Sequence, residues 1–139
     1  MTISLPIIYA LIAMVFLGVM AIILKLTTNY ISPIQVMFLH SVTMAVLVGL
    51  FMAFFPQEKL NLTLKVYCLV FAGALIASIG FFSYLTALKL GEVNVVAPIR
   101  NLSLLVSVLA AVLFLSEKLT LTKIIGIFLA VVAILLLSI

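Results

Sequence analysis

The chain has 139 residues, of which 68% are hydrophobic and only ten are charged: seven Lys or Arg and three Glu. Soluble domains are about 45–50% apolar and roughly 25% charged, so ten charges are too few to cover a soluble globule of this size. A single cysteine excludes an internal disulfide, and one histidine with three glutamates leaves little for a hydrolase or a metal centre. The composition therefore predicts an integral membrane protein without enzyme activity, cofactor or metal. The cations are scattered singly, so no nucleic-acid partner is expected either.

Five apolar stretches follow one another along the chain, and a helix that crosses a bilayer needs about 20 such residues. The helices are expected at about 5–26, 33–55, 64–88, 93–115 and 121–139. The second helix begins at Pro33, because proline fits the first turn of a helix, where its missing N–H costs nothing. Gly91 is placed to cap the end of the third helix. The sequence predicts an all-α membrane protein, a single domain over residues 1–139 with a bundle of five transmembrane helices.

The fifth stretch is the shortest of the five. Its uncharged part, residues 124–139, would be about 24 Å long as a helix. That is short for a bilayer, so Lys123 is expected to extend its ammonium group to the interface. Four spans and one interfacial helix remain the alternative.

The lysines at the ends of the spans bear on orientation. We call the membrane side of the N-terminus side A and the other side B. Side A receives Lys59, Lys65, Lys118 and Lys123, and side B receives Lys25 and Lys89. The positive-inside rule then predicts a cytoplasmic N-terminus and an external C-terminus in the inner or plasma membrane of the cell. The bias is small, which permits insertion in both orientations.

Three ionisable residues lie within the spans or at their edge. His40 and Arg100 are each seven residues inside their helix from side B, about 10 Å deep, and Lys25 is close to the same side. Such groups are costly in a membrane and are candidates for function by default. We interpret them as a cationic patch that binds substrate. In the alternative interpretation, Arg100 and Lys25 reach the interface and His40 only packs.

Other side chains complete the candidate site. Arg100, Ser103 and Ser107 are spaced by three and four residues, which places them on one helical stripe. Tyr84 and Asn101 offer hydrogen bonds to a substrate. Pro98 is a candidate hinge, although proline is also tolerated in spanning helices. Small residues with helical spacing are candidates for helix packing or a dimer contact, namely Gly73, Ala77, Gly126 and Ala130.

An ordered set of short motifs links these features to a known family. Ala87-Leu88-Lys89-Leu90-Gly91-Glu92 leads to Val95-Val96-Ala97-Pro98, and Ser116-Glu117-Lys118-Leu119-Thr120 is followed by Gly126. With these residues the second half resembles the EamA-type domain of the drug/metabolite transporter superfamily. Lys25, and Ser32-Pro33 followed by His40, resemble motifs of its first half.

The chain also departs from that family. His40 stands where the family usually has Arg, no Trp is present, and Leu104 and Leu105 replace a proline that many members have in the middle of the fourth helix. The first helix also lacks the Glu of the small multidrug-resistance proteins. Proton-coupled antiport of cationic drugs by their mechanism is therefore not expected.

The resemblance implies a function and an assembly. Common members have ten spans in two five-span halves of inverted topology, and this chain is similar to one half, as in short five-span bacterial and archaeal members. Inverted repeats hold substrate between them near the midplane of the membrane. The resemblance therefore implies a dimer of two copies of the chain, for which an antiparallel arrangement is one option. It also implies a secondary transporter, an exporter of small organic metabolites, and the cationic patch suits anionic or carboxylate-bearing substrates. The alternatives are a subunit of a lipid or polyprenyl-phosphate-linked carrier flippase, and a non-transporting membrane scaffold subunit.

Overall fold

The helices of the chain follow one another with short connections. A computed structural model describes residues 5–55, 63–116 and 118–137, and no strand occurs among them. The helices are α1 (Leu5–Thr28), α2 (Pro33–Phe54), α3 (Leu64–Leu90), α4 (Val93–Asn101), α5 (Ser103–Leu115) and α6 (Leu121–Leu137). The predicted fold class, an all-α membrane protein, is confirmed.

The fourth stretch is interrupted, which corrects the expectation of one continuous helix there. Pro98 has no N–H to donate to the carbonyl of the preceding turn. One turn later the N–H of Leu102 donates to Ile99 O at 3.0 Å, three residues back instead of four, and the backbone tightens there. α4 ends before Leu102 and α5 begins after it. Together they still form one apolar stretch, Val93–Phe114.

Four apolar stretches among the described residues are long enough to cross a membrane: α1, α2, α3 and the α4–α5 stretch. α6 has 17 residues, which is the lower limit for a spanning helix. A fifth span at α6 therefore stays a prediction.

Two helix ends show how local chemistry sets the boundaries. α2 starts with a capping box, in which the N–H of Gln35 donates to Ser32 Oγ and the N–H of Ser32 donates to Gln35 Oε1 at 2.9 Å. Gly91 directly follows the last residue of α3, and its role as a cap stays a prediction; no glycine among the described residues has a positive φ. Ser116 has φ 54°, and its N–H donates to Ala111 O at the end of α5.

The chain divides into two compact units, Met1–Lys89 and Leu90–Ile139. In the first unit the helices pack at one end. Among the described residues, every buried side chain belongs to this end, which we call the packed end: Ala21, Leu24, Thr28, Val36, Tyr84, Leu85 and Leu88. These residues come from the last turns of α1 and α3 and the first turn of α2. In the second unit α4 packs against α6.

Candidate functional site

Lys25 is part of the packed end of the first unit. It is half-buried on the last turn of α1, and its Nζ donates a hydrogen bond of 2.6 Å to Leu88 O. Leu88 lies in the last turn of α3, where backbone carbonyls have no partner within their own helix. Lys25 therefore holds the end of α3. Its predicted role in binding substrate stays a prediction.

Tyr84 lies in the same packed end. Only 7% of its surface is exposed, and its neighbours in α3, Leu85 and Leu88, are fully buried. A substrate can reach the Tyr84 hydroxyl only if the packed end opens. Tyr84 as a substrate ligand therefore stays a prediction that requires a second conformation.

His40 lines a cleft between α2 and α3. The cleft has a volume of about 200 Å³, and its walls are Met37, His40, Ser41, Ala77, Ser78 and Phe81. The imidazole centroid is 5.2 Å from the Phe81 ring centroid, with the two planes tilted by 40°. This is a normal spacing for an attractive aromatic pair. The cleft thus combines one imidazole, two hydroxyl groups and an aromatic wall.

Two residues of the α3 wall of this cleft, Ser78 and Phe81, were not predicted from the sequence. Phe81 could have been identified from its spacing of four residues after Ala77, which puts both residues on one face of a helix. The Ser78 hydroxyl donates to Ala74 O at 2.8 Å, so its proton is engaged within α3. Its oxygen can still accept a hydrogen bond from a ligand.

In the second unit, the remaining candidates surround the junction of α4 and α5. Arg100 is exposed on the last turn of α4, Asn101 is exposed at its end, and Pro98 is half-buried two residues before Arg100. The tightened turn at Leu102 follows directly. A hinge at Pro98 stays a prediction; the irregular turn of the backbone lies one turn beyond it, at Leu102.

Ser103 and Ser107 are exposed one turn apart on α5. The Ser107 hydroxyl donates to Ser103 O at 3.1 Å. The expected stripe of Arg100, Ser103 and Ser107 therefore crosses the irregular turn at Leu102 rather than following one regular helix. Whether these three side chains bind one substrate stays a prediction.

The two glycines among the small residues do not mark close helix contacts within their units. A Cβ placed on Gly73 or Gly126 would meet no atom within 4 Å. Ala77 lines the His40 cleft, and Gly126 and Ala130 line a groove between α5 and α6. Their predicted role in helix packing or a dimer contact therefore depends on a partner outside the protomer and stays a prediction.

Comparison with known proteins identifies one family. Residues 4–139 match the model of the EamA-like transporter family, which is nearly the whole chain. No curated protein sequence matches the chain, and no solved structure does.

Proposed function

The chain belongs to the EamA-like transporter family, part of the drug/metabolite transporter superfamily, and from this premise we propose that it is a secondary transporter that exports small organic metabolites by alternating access. The family is one of membrane transporters, and the apolar helices make the chain an integral membrane protein. The observation that supports the proposal best is the His40 cleft beside the packed end of the first unit.

Alternating access requires a substrate site next to a closed barrier. Val36 is buried in the packed end, and His40 lies one helical turn farther along α2, a rise of about 6 Å. A substrate in the cleft would therefore rest against the packed end. The Lys25–Leu88 hydrogen bond would be part of the barrier on side B.

The side chains favour a carboxylate-bearing substrate. A guanidinium group forms short, charge-assisted hydrogen bonds with carboxylate oxygens, and an imidazole N–H also donates a hydrogen bond to them. In the first unit we assign this task to His40, with Lys25 adding positive potential and Tyr84 offering a hydrogen bond. In the second unit we assign it to Arg100, with hydrogen bonds from Asn101, Ser103 and Ser107.

The assembly we propose is a homodimer with antiparallel protomers. Gly73 has open space around it in the protomer, and small residues allow helices of two chains to approach closely. Four lysines on side A against two on side B give only a weak orientation bias. The N-terminus of the more frequent orientation would be cytoplasmic.

Transport in proteoliposomes tests the function. The purified chain is reconstituted, and uptake of labelled amino acids, 2-oxo acids and neutral or cationic metabolites is measured. We expect flux of a carboxylate-bearing solute that falls at least 10-fold in Arg100→Ala, because a charge-assisted hydrogen bond is worth about 1.5–3 kcal/mol. Lys89→Ala, which removes one exposed positive charge of α3, is the matched control and should transport normally.

Each result separates the candidate functions. Unchanged flux in Arg100→Ala contradicts the assigned role of Arg100. No flux with any solute favours the scaffold alternative. Copurification of a different small membrane protein favours the carrier-flippase alternative.

A further inference from the structure

The second unit contains an open groove between α5 and α6. Its volume is about 400 Å³, and its floor is apolar: Leu104, Val108 and Val112 from α5, with Gly126, Ile127 and Ala130 from α6. None of these residues belongs to the proposed substrate site. The groove therefore needs an explanation of its own.

Gly126 keeps the groove open. A Cβ at this position would meet no atom within 4 Å, and Ala130, one turn later on α6, is also small. A larger side chain at either position would project into the groove. The open volume of about 400 Å³ between the two helices suits a flexible hydrocarbon chain.

Two lysines lie at one end of this groove. Lys118, in the connection before α6, and Lys123, in the first turn of α6, both line it and are exposed. Thr120 Oγ1 accepts the N–H of Lys123 at 3.4 Å at the start of α6. The groove is thus apolar along the helices and positively charged where the spanning segments end. Glu117 lies outside the described residues, and with it segment 116–123 still carries one net positive charge.

We propose that this groove binds an anionic phospholipid, with an acyl chain between α5 and α6 and the headgroup phosphate between Lys118 and Lys123. A phospholipid has a charged headgroup at one end followed by apolar acyl chains, which matches the lysines at one end of the groove and its apolar floor. Basic pockets between spanning helices suit anionic headgroups. The lipid is a resident ligand of the protomer rather than the cargo, so the proposal does not rest on the proposed transport activity.

Charge favours a lipid over a second copy of the chain. The chain carries a formal net charge of +4 and has only three carboxylate side chains. A second copy would bring further positive charge to a lysine-lined end. An anionic lipid supplies the opposite charge and also covers the apolar floor.

Lipid binding by the whole purified chain tests the proposal. Native mass spectrometry from mild detergent measures the affinity for phosphatidylglycerol and for phosphatidylcholine with identical acyl chains. We expect tighter binding of phosphatidylglycerol. Lys118→Gln combined with Lys123→Gln should lower that affinity about 25-fold, about fivefold per lysine, and leave phosphatidylcholine binding unchanged. The matched control, Lys65→Gln with Lys89→Gln, removes the same charge outside the groove and should keep the affinity.

A second pair of measurements examines the acyl chain. Gly126→Leu should fill the groove and weaken phosphatidylglycerol binding at least 10-fold, and glycerol phosphate at equal concentration should not displace the lipid. Equal affinity for the two lipids, an equal loss in both lysine pairs, or displacement by glycerol phosphate would overturn the proposal. So would efficient disulfide cross-linking of Ile127→Cys in a Cys68→Ser background, because a second copy would then cover the groove.

Discussion

The ammonium group of Lys25 and the carbonyl oxygen of Leu88 lie 2.6 Å apart and join the last turn of α1 to the last turn of α3. A positive charge at the C-terminal end of a helix is stabilised by the helix dipole. The bond lies beside Leu85 and Leu88, which are fully buried. A lysine that the sequence suggested as a substrate ligand thus has a structural partner in this conformation.

Lys25→Met tests this partnership. Methionine keeps an unbranched apolar chain but cannot donate to Leu88 O, so we expect a loss of about 1–3 kcal/mol in stability. The measurement is the apparent melting temperature in detergent. Lys89→Met changes an exposed lysine of α3 and should melt like the parent chain. Equal melting of the two variants would show that the bond contributes nothing to stability.

His40→Phe separates packing from substrate binding. Phenylalanine retains a ring beside Phe81 but removes both imidazole nitrogens. We expect an unchanged melting temperature and at least 10-fold lower uptake of the carboxylate-bearing solute. Phe81→Leu is the complementary control: it loses the ring pair, about 0.5–1.5 kcal/mol, and keeps the imidazole. Full uptake by His40→Phe would remove His40 from the site.

Gly126→Ala distinguishes an open position from a dimer contact. Within the protomer the added methyl group meets no atom, and alanine favours a helix over glycine by about 0.5–1 kcal/mol. The protomer should therefore become slightly more stable. Single-molecule photobleaching or mass measurement in bilayer discs reports the oligomer. A weaker dimer in Gly126→Ala, with Gly18→Ala as the control on α1, would place Gly126 at the dimer contact.

Pro98→Ala tests the hinge. Alanine restores the N–H that α4 lacks at this position, and an interior proline costs a helix about 3 kcal/mol in general. We expect a more stable protein whose maximal transport rate falls several-fold while its KM stays the same, because a regular helix would bend less easily. An unchanged rate would contradict a hinge at Pro98.

Side-specific thiol labelling tests the antiparallel arrangement. Tyr30, in the connection between α1 and α2, is 87% exposed, and Tyr30→Cys leaves the charge balance intact. In a Cys68→Ser background, a membrane-impermeant reagent should label this cysteine from both sides of the membrane. Labelling from one side alone would exclude the antiparallel dimer and favour a parallel one or a different partner.

The fold class was predictable from the sequence because uninterrupted apolar runs of about 20 residues permit few structures in a membrane. The start of α2 was equally legible, since Ser32, Pro33 and Gln35 carry the chemistry of a helix start within four residues. The break at Leu102 was not predictable from the sequence, because it lies one turn beyond Pro98. It depends on which carbonyl oxygen accepts the hydrogen bond from the Leu102 N–H. The cap at Gly91 stays a prediction, because a glycine permits a left-handed cap but does not enforce it.

The candidate site was predictable only in part. The positions of His40 and Lys25 along their helices identified them as candidates, because ionisable residues are costly and rare in a membrane. Their neighbours, Phe81 and the carbonyl of Leu88, could not be deduced, because apolar side chains and backbone atoms look alike throughout an apolar helix. For the same reason, the groove beside Lys118 could not be predicted from the sequence.

Within residues 5–55, 63–116 and 118–137, the buried side chains all belong to the packed end, and this has a consequence for how such a chain can change over time. Apolar positions that face outward, such as Val46 and Ile76, can exchange among Leu, Ile, Val and Phe at little cost, because lipid tails are as apolar as these side chains. Leu85 and Leu88 fill enclosed space and tolerate little change of volume. Substitution rates should therefore differ along a single helix, and α3 should drift fastest toward its first turns and slowest toward its last.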